Sequence, residues 1–173
     1  TDGLWTSVAY GNGLWVVVAS DAVITSTNAS DWTPRTAQTG DWSAVTYANA
    51  HFVAVATGGA HLVMTSADGI TWTARTASTS GPWEAVAFGN GLVVAVGGGS
   101  SVMTSPDGFG WTNRAAAPQS GWNGVVHGNG QFVAVSSGPN YVMTSGDGID
   151  WTARPAPPGS WQSVVFGNGV YVA

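Results

Sequence analysis

The chain has no cysteine, no lysine, a single glutamate and no apolar run longer than a strand. Without cysteine there is neither a disulfide framework nor a thiolate site, and the redox compartment is left open. Without lysine, the only basic residues are Arg35, Arg75, Arg114 and Arg154, against nine acidic groups and a net charge of -5. An acidic chain with no basic patch is repelled by phosphate backbones, so no nucleic-acid partner is expected. The longest apolar stretches, Leu14 to Ala19 and Leu92 to Val96, are far too short to span a bilayer, and no membrane insertion is expected. Charged residues make up only 8%, yet there are 25 glycines and no long polar tract. That composition describes a turn-dense folded chain, not a disordered one.

What is present is one unit, written four times and a fifth time in part. It reads Trp-x-x-Val-x-aromatic-Gly-Asn-Gly-x-apolar-Val-Ala-Val, then Val-Met-Thr-Ser-x-Asp-Gly-x-x-Trp-Thr-x-Arg. The opening tryptophan recurs at Trp5, Trp42, Trp83, Trp122 and Trp161, and the closing one at Trp32, Trp72, Trp111 and Trp151. Nine of the ten tryptophans are thus repeat positions. A period of about 40 residues marks a supersecondary unit that buries its apolar faces against its neighbours.

Inside each unit the apolar pattern has a period of two, broken at turn residues, which predicts strands throughout. In the third unit the strands fall near Trp83 to Phe88, Leu92 to Val96, Ser101 to Ser105 and Gly110 to Arg114. Gly89-Asn90-Gly91 supplies the Asn-Gly pair of a tight hairpin. The same turn stands at Gly11-Asn12-Gly13, Gly128-Asn129-Gly130 and Gly167-Asn168-Gly169. In the second unit it becomes Ala48-Asn49-Ala50, where Ala50 must accept left-handed strain or use another turn. Four short antiparallel strands in about 40 residues make one blade of a β-propeller. The expected fold is all-β, with blades near 5–35, 42–75, 83–114 and 122–154, a partial blade at 161–173, and no helix longer than a turn. Linkers such as Ala115 to Gly121 and Pro155 to Ser160 would carry the chain from one blade's outer strand to the next blade's inner strand.

The third turn carries a resemblance. Ser66-Ala67-Asp68-Gly69-Ile70-Thr71-Trp72, Ser105-Pro106-Asp107-Gly108-Phe109-Gly110-Trp111 and Ser145-Gly146-Asp147-Gly148-Ile149-Asp150-Trp151 look like the Asp-box of sialidase-type propellers. The resemblance implies a cap on the hairpin between a blade's third and fourth strands, with the aromatic packed between blades. The spacing between Asp and Trp departs by one residue, and the first unit, Ser26-Thr27-Asn28-Ala29-Ser30-Asp31-Trp32, lacks both the Asp and the Gly. The complete unit is similar to propeller repeats of bacterial surface proteins and of phage tail or fibre proteins. That likeness covers nearly the whole chain and implies a virion or extracellular, cell-surface location.

The fifth unit stops after two strands, Gln162 to Phe166 and Val170 to Ala173, so the ring is not expected to close as written. Beginning at Thr1 with no charged-then-apolar leader, the sequence reads as a processed product or a piece of something longer. An unpaired apolar edge is a template for aggregation, so further chain, or failing that another subunit, is expected to cover it.

The candidate chemistry is weak. Asp68, Asp107 and Asp147 each bring one carboxylate to a turn, whereas a calcium loop concentrates several oxygens, so they are read as turn-fixing acceptors. The four arginines share one register on successive blades, which spreads them around the rim, so each is expected to bond a nearby box turn and stack on tryptophan. A sialidase-like site also needs a Tyr and Glu pair, and the only glutamate, Glu84, has no matching tyrosine. His51, His61 and His127 form no metal-ligand spacing, and His51 and His127 are read as solvent-facing substitutions at the first hairpin turn. No nucleophile elbow or Ser/His/Asp set occurs. No catalytic residue, metal or cofactor is therefore expected, and the chain is read as a non-enzyme. The nine periodic tryptophans, and Trp15, are assigned to the core between blades.

Two functional readings follow. One is a structural or interaction propeller on a virion (phage tail, fibre or decoration) or bacterial surface, acting in adhesion or receptor contact with protein partners. The other is a multivalent, lectin-like propeller holding surface glycans between its blades. The linkers Thr36 to Asp41, Thr76 to Pro82, Ala115 to Gly121 and Pro155 to Ser160 share little, which favours the first, since a multivalent lectin repeats its ligand groups.

Overall fold

The computed structural model describes residues 4–117, 121–138 and 141–173. Blade 1 consists of Ser7–Gly11, Leu14–Ala19, Ala22–Ser26 and Thr33–Arg35, and blade 2 of Trp42–Ala48, His51–Ala56, Val63–Ser66 and Thr73–Arg75. Blade 3 runs Trp83–Gly89, Leu92–Gly97, Ser101–Ser105 and Thr112–Ala115, and blade 4 runs Trp122–Gly128, Gln131–Ser136, Tyr141–Ser145 and Thr152–Pro155. A two-stranded hairpin, Val165–Gly167 and Val170–Val172, begins a fifth blade. Strand order within every sheet is sequential and all pairs are antiparallel. The one helical element among the described residues is a single 3-10 turn, Gly98–Ser100.

The hairpin turns explain the first glycine-rich motif. Asn49 and Ala50 both take positive φ, 46° and 65°, so the second blade adopts the same turn as its neighbours and Ala50 carries the left-handed strain. The first glycine of the motif serves a different purpose. A Cβ on Gly11 would lie 2.1 Å from the ring of Tyr47, one on Gly89 2.0 Å from the ring of His127, and one on Gly128 2.2 Å from the ring of Phe166. At these three seams the aromatic of the following blade thus lies against the bare backbone of the blade before it, while blade 2 carries Ala48 in that place.

The core lies between blades, in a series of similar layers. The forward face of blade 1, Val16, Val18 and Val23, meets Trp42, Phe52, Met64 and Trp72 of blade 2. Blade 2 offers Val53, Val55 and Val63 to Trp83, Val93 and Met103 of blade 3, and blade 3 offers Val94, Val96 and Val102 to Trp122, Phe132 and Met143 of blade 4. Period-two alternation sends alternate residues of the second strand to opposite faces, so one strand serves two layers.

This arrangement corrects the expectation that all nine periodic tryptophans are core. Trp42, Trp72, Trp83 and Trp122 are buried, but Trp5 is 40% and Trp32 37% exposed. These two sit on the backward face of blade 1, against which no blade of the described residues packs. Trp15, on the same face, is half-buried and pairs with Tyr10 at 4.7 Å between ring centroids.

At the opening of blades 2, 3 and 4 the ladder slips by one residue. Trp42 pairs with Ala56 and Ala44 with Val55, leaving Ser43 as a bulge, and Glu84 and Asn123 are bulged in the same way. A bulge turns the extra side chain out of the regular alternation. Here it aims the residue after each opening tryptophan towards the axis around which the inner strands gather.

Candidate functional site

The first hairpin turn and the Ser-x-Asp-Gly turn lie at the same end of each blade, and the two meet across the gap between neighbours. Asn49 Nδ2 donates to Pro106 O (2.7 Å), and Asn90 Nδ2 to Gly146 O (3.0 Å). The Asp-Gly turns are built as their sequence requires. Asp68 Oδ1 accepts the backbone N–H of Ile70 and Thr71, each at 2.8 Å, and the hydroxyl of Ser66 at 2.9 Å. Asp107 and Asp147 repeat the pattern. In the first blade Asn28 Oδ1 replaces the carboxylate, accepting from Ser30, Asp31 and Ser26, while Ala29 takes the left-handed position.

Donated N–H groups stabilise the ionised carboxylate. The Thr71 and Ile70 N–H bonds hold the Asp68 carboxyl down at about 2. Asp107 is lowered chiefly by the Phe109 N–H, and Asp147 chiefly by that of Asp150. These acids stay charged and occupied with their own turns. Among the described residues, no group of three or more His, Asp or Glu could hold a metal ion.

The arginines do not converge. Arg35, Arg75, Arg114 and Arg154 each donate Nε across their own blade to Thr25, Thr65, Thr104 and Thr144, at 2.9 to 3.0 Å. The local role expected for them holds, but the partner is a third-strand threonine and not the box turn. The register explains this: Arg35 pairs with Val23, and Thr25 is two residues along on the same face. Among the described residues only Arg75 stacks on a ring, its guanidinium carbon 4.5 Å from the centre of Phe109 on the next blade.

The histidine reading is also corrected. His51 is 7% exposed, not solvent-facing, because the residue after the hairpin turn packs over the Asp-Gly glycine of the next blade. Leu14 does so at Gly69 and Leu92 at Gly148, and His51 takes their place at Gly108. Its Nδ1 donates to Asn49 O (3.0 Å), its ring stacks on Phe109 at 5.0 Å, and its Nε2 is buried with no partner among the described residues. His127 is half-buried over Gly89, with Nε2 likewise unpartnered among those residues. His61 lies at the opposite end of its blade, beside Thr76 and Ser80.

One gap therefore differs from the others. Between blades 2 and 3 a cleft of about 540 Å³ is lined by Asn49, His51, Asp68, Thr71, Arg75 and Phe109, among others. Sequence reasoning treated His51 and Phe109 separately. Part of the signal was available: His51 stands where the other units have Leu14, Leu92, Gln131 and Val170, and Phe109 where they have Ser30, Ile70 and Ile149.

No family model and no curated protein matches the chain. Solved structures do match it in shape. They include YCF48 bound to D1 peptide (TM-score 0.73, 16% identity, covering 97% of this chain and 58% of that one) and YCF48 from Cyanidioschyzon merolae (TM-score 0.72, 16% identity, 96% and 61%). A structure from the nidogen/laminin complex also matches (TM-score 0.76, 10% identity, 96% and 70%). With four full blades and a partial fifth superposing on such neighbours, the fold is decided. The chain is a β-propeller. It spans about three fifths of the length of the two YCF48 structures. Among its described residues, no helix is long and apolar enough to cross a membrane.

Proposed function

We propose that this propeller is a non-enzymatic interaction module, displayed on a virion (phage tail, fibre or decoration) or on a bacterial surface, where it contacts a protein partner. The observation that carries the reading is the cleft between blades 2 and 3. It gathers into one place two departures from the repeat, His51 and Phe109, together with an arginine and a carboxylate at its wall. In a scaffold of repeated units, recognition concentrates where side chains depart from the repeat. The Asp-Gly turns support the likeness to sialidase-type boxes, since their carboxylates accept the N–H bonds that cap such a hairpin. Similar folds occur in YCF48 bound to D1 peptide and in the nidogen/laminin complex, which supports a protein or peptide as the class of partner. The surface location rests on the likeness of the repeat unit to surface and tail-fibre propellers.

The glycan-binding alternative needs equivalent pockets between successive blades. The pairing of a histidine with a phenylalanine across a gap occurs once among the described residues, which speaks for a single protein-contacting cleft. Panning a random dodecapeptide library on the immobilised chain tests this, with a glycan array run in parallel. Peptides should be enriched whose binding falls at least about tenfold on Phe109→Ala or Arg75→Ala, as expected for loss of an aromatic or charged anchor. Saturable glycan binding with no cleft-dependent peptide would overturn the reading in favour of the lectin.

A further inference from the structure

The residue that follows each opening tryptophan is polar in all five units: Thr6, Ser43, Glu84, Asn123 and Gln162. The structure brings these together. With Ser7, Ser163 and neighbouring small residues they line one axial cavity of about 310 Å³, to which all five inner segments contribute. In blades 2 to 4 the residue concerned is the bulged one.

Three of the five close a bond to the next blade. Thr6 Oγ1 donates to Trp42 O (2.7 Å), Ser43 Oγ to Trp83 O (2.6 Å) and Asn123 Nδ2 to Trp161 O (3.0 Å). The equivalent acceptor for blade 3 is Trp122 O. A carboxylate has no proton to donate, so Glu84 breaks the pattern, and no side chain among the described residues bonds that carbonyl. A donor position has thus been given to the chain's only glutamate, in the one place where it faces four uncharged polar side chains across an open cavity. No arginine lines this cavity, since all four lie on outer strands.

We propose that the axial cavity is a binding site for an alkylammonium or guanidinium group, with the Glu84 carboxylate as counter-ion. Ser43, Asn123 and Gln162 supply oxygens around it. The favoured geometry is a cation entering along the axis, because a charge-assisted bond to Glu84 is stronger than the neutral bonds the rest of the ring can offer. The source of the cation is either a free amine or the lysine or arginine side chain of a peptide. This site is separate from the cleft between blades 2 and 3, so its failure leaves that reading intact.

The test uses the full chain, labelled with nitrogen-15, titrated with butylamine, with the peptide acetyl-Ala-Lys-Ala-amide and with pentanol as an uncharged control. Butylamine and the peptide should both shift the amides of residues 6, 43, 84, 123 and 162 saturably, and pentanol should not. The peptide binding more tightly assigns the cation to a side chain, and the reverse order assigns it to a free amine. Glu84→Gln should weaken both by about tenfold or more, the scale of a lost charged hydrogen bond. The same variant should melt no lower than the parent, because its new amide can donate to Trp122 O. Gln162→Glu, which adds a second carboxylate, should tighten both probes several-fold. The proposal is overturned if neither probe shifts these amides, or if Glu84→Gln binds within about twofold of the parent.

Discussion

Blades 1 and 3 share a sequence plan but not an environment. Trp83 of blade 3, like Trp42 of blade 2, is buried because a blade stands behind it, whereas Trp5, in the same register, is 40% exposed with none of the described residues forming a blade behind it. Leu4, Val8 and Tyr10 share the exposed flank of blade 1. The difference teaches that burial in this fold belongs to the junction and not to the blade. A tryptophan here is a core residue only when its predecessor is present to receive it.

The largest effect should separate those two environments. Trp83→Ala removes a fully buried ring and should cost roughly 3–5 kcal/mol, while Trp5→Ala should cost about 1 kcal/mol, read by urea denaturation. Similar losses at both sites would mean that the flank of blade 1 is covered in solution.

A second comparison sets the Asp-Gly turns of blades 2 to 4 against the Asn28 turn of blade 1. Asp68 titrates at about 2 in the fold, below the 3.8 of a free side chain. A lowered folded value means that the bound proton opposes folding. The stability contributed is complete above pH 4, and it is lost as pH falls through the folded value near 2. Asp107 and Asp147 are lowered in the same direction. Asn28 does not titrate. Hydrogen exchange measured from pH 5 to pH 2.5 should therefore show amides 70–71, 109–110 and 149–150 losing protection while 30–31 keep theirs, once intrinsic rates are corrected. Equal loss in all four turns would sink the comparison.

The smallest effect compares hairpin turns. Ala50 is the only residue at its register that is not glycine, with φ 65°. Ala50→Gly should stabilise the chain by up to about 1 kcal/mol, since relief of left-handed strain is offset partly by the greater freedom of the unfolded chain. Thermal melting checks it. A lower melting temperature would mean that the alanine methyl makes a contact worth more than the strain.

The blades, turns and core faces could be read from the sequence because period-two alternation and turn chemistry are local. Even Asn28 standing in for an aspartate follows from the capacity of both side chains to accept N–H bonds. The candidate sites were less legible. His51 reads locally as a polar residue beside a turn, and only the neighbouring blade's glycine, about 57 residues further on, turns that position into a buried one. Phe109 looked like one more residue of a turn, and Glu84 like a stray acid. Both gain meaning from residues in other units. Comparing each register across units, instead of each motif along the chain, exposes them: Thr6, Ser43, Glu84, Asn123 and Gln162 form a column in which one member cannot do what three of the others do.

The aromatic ring laid on the preceding blade's glycine has one more consequence. The seams between blades 1 and 2 and between blades 3 and 4 join unlike halves, valine and bare glycine backbone on one side, indole, an aromatic ring and thioether on the other. Such a head-to-tail joint has a direction, as the tongue and groove of a floorboard do. Two blades cannot dock through identical faces, so blades add in one direction only, and a repair that tightens one of these like-built seams can be copied to the other with nearly additive gain.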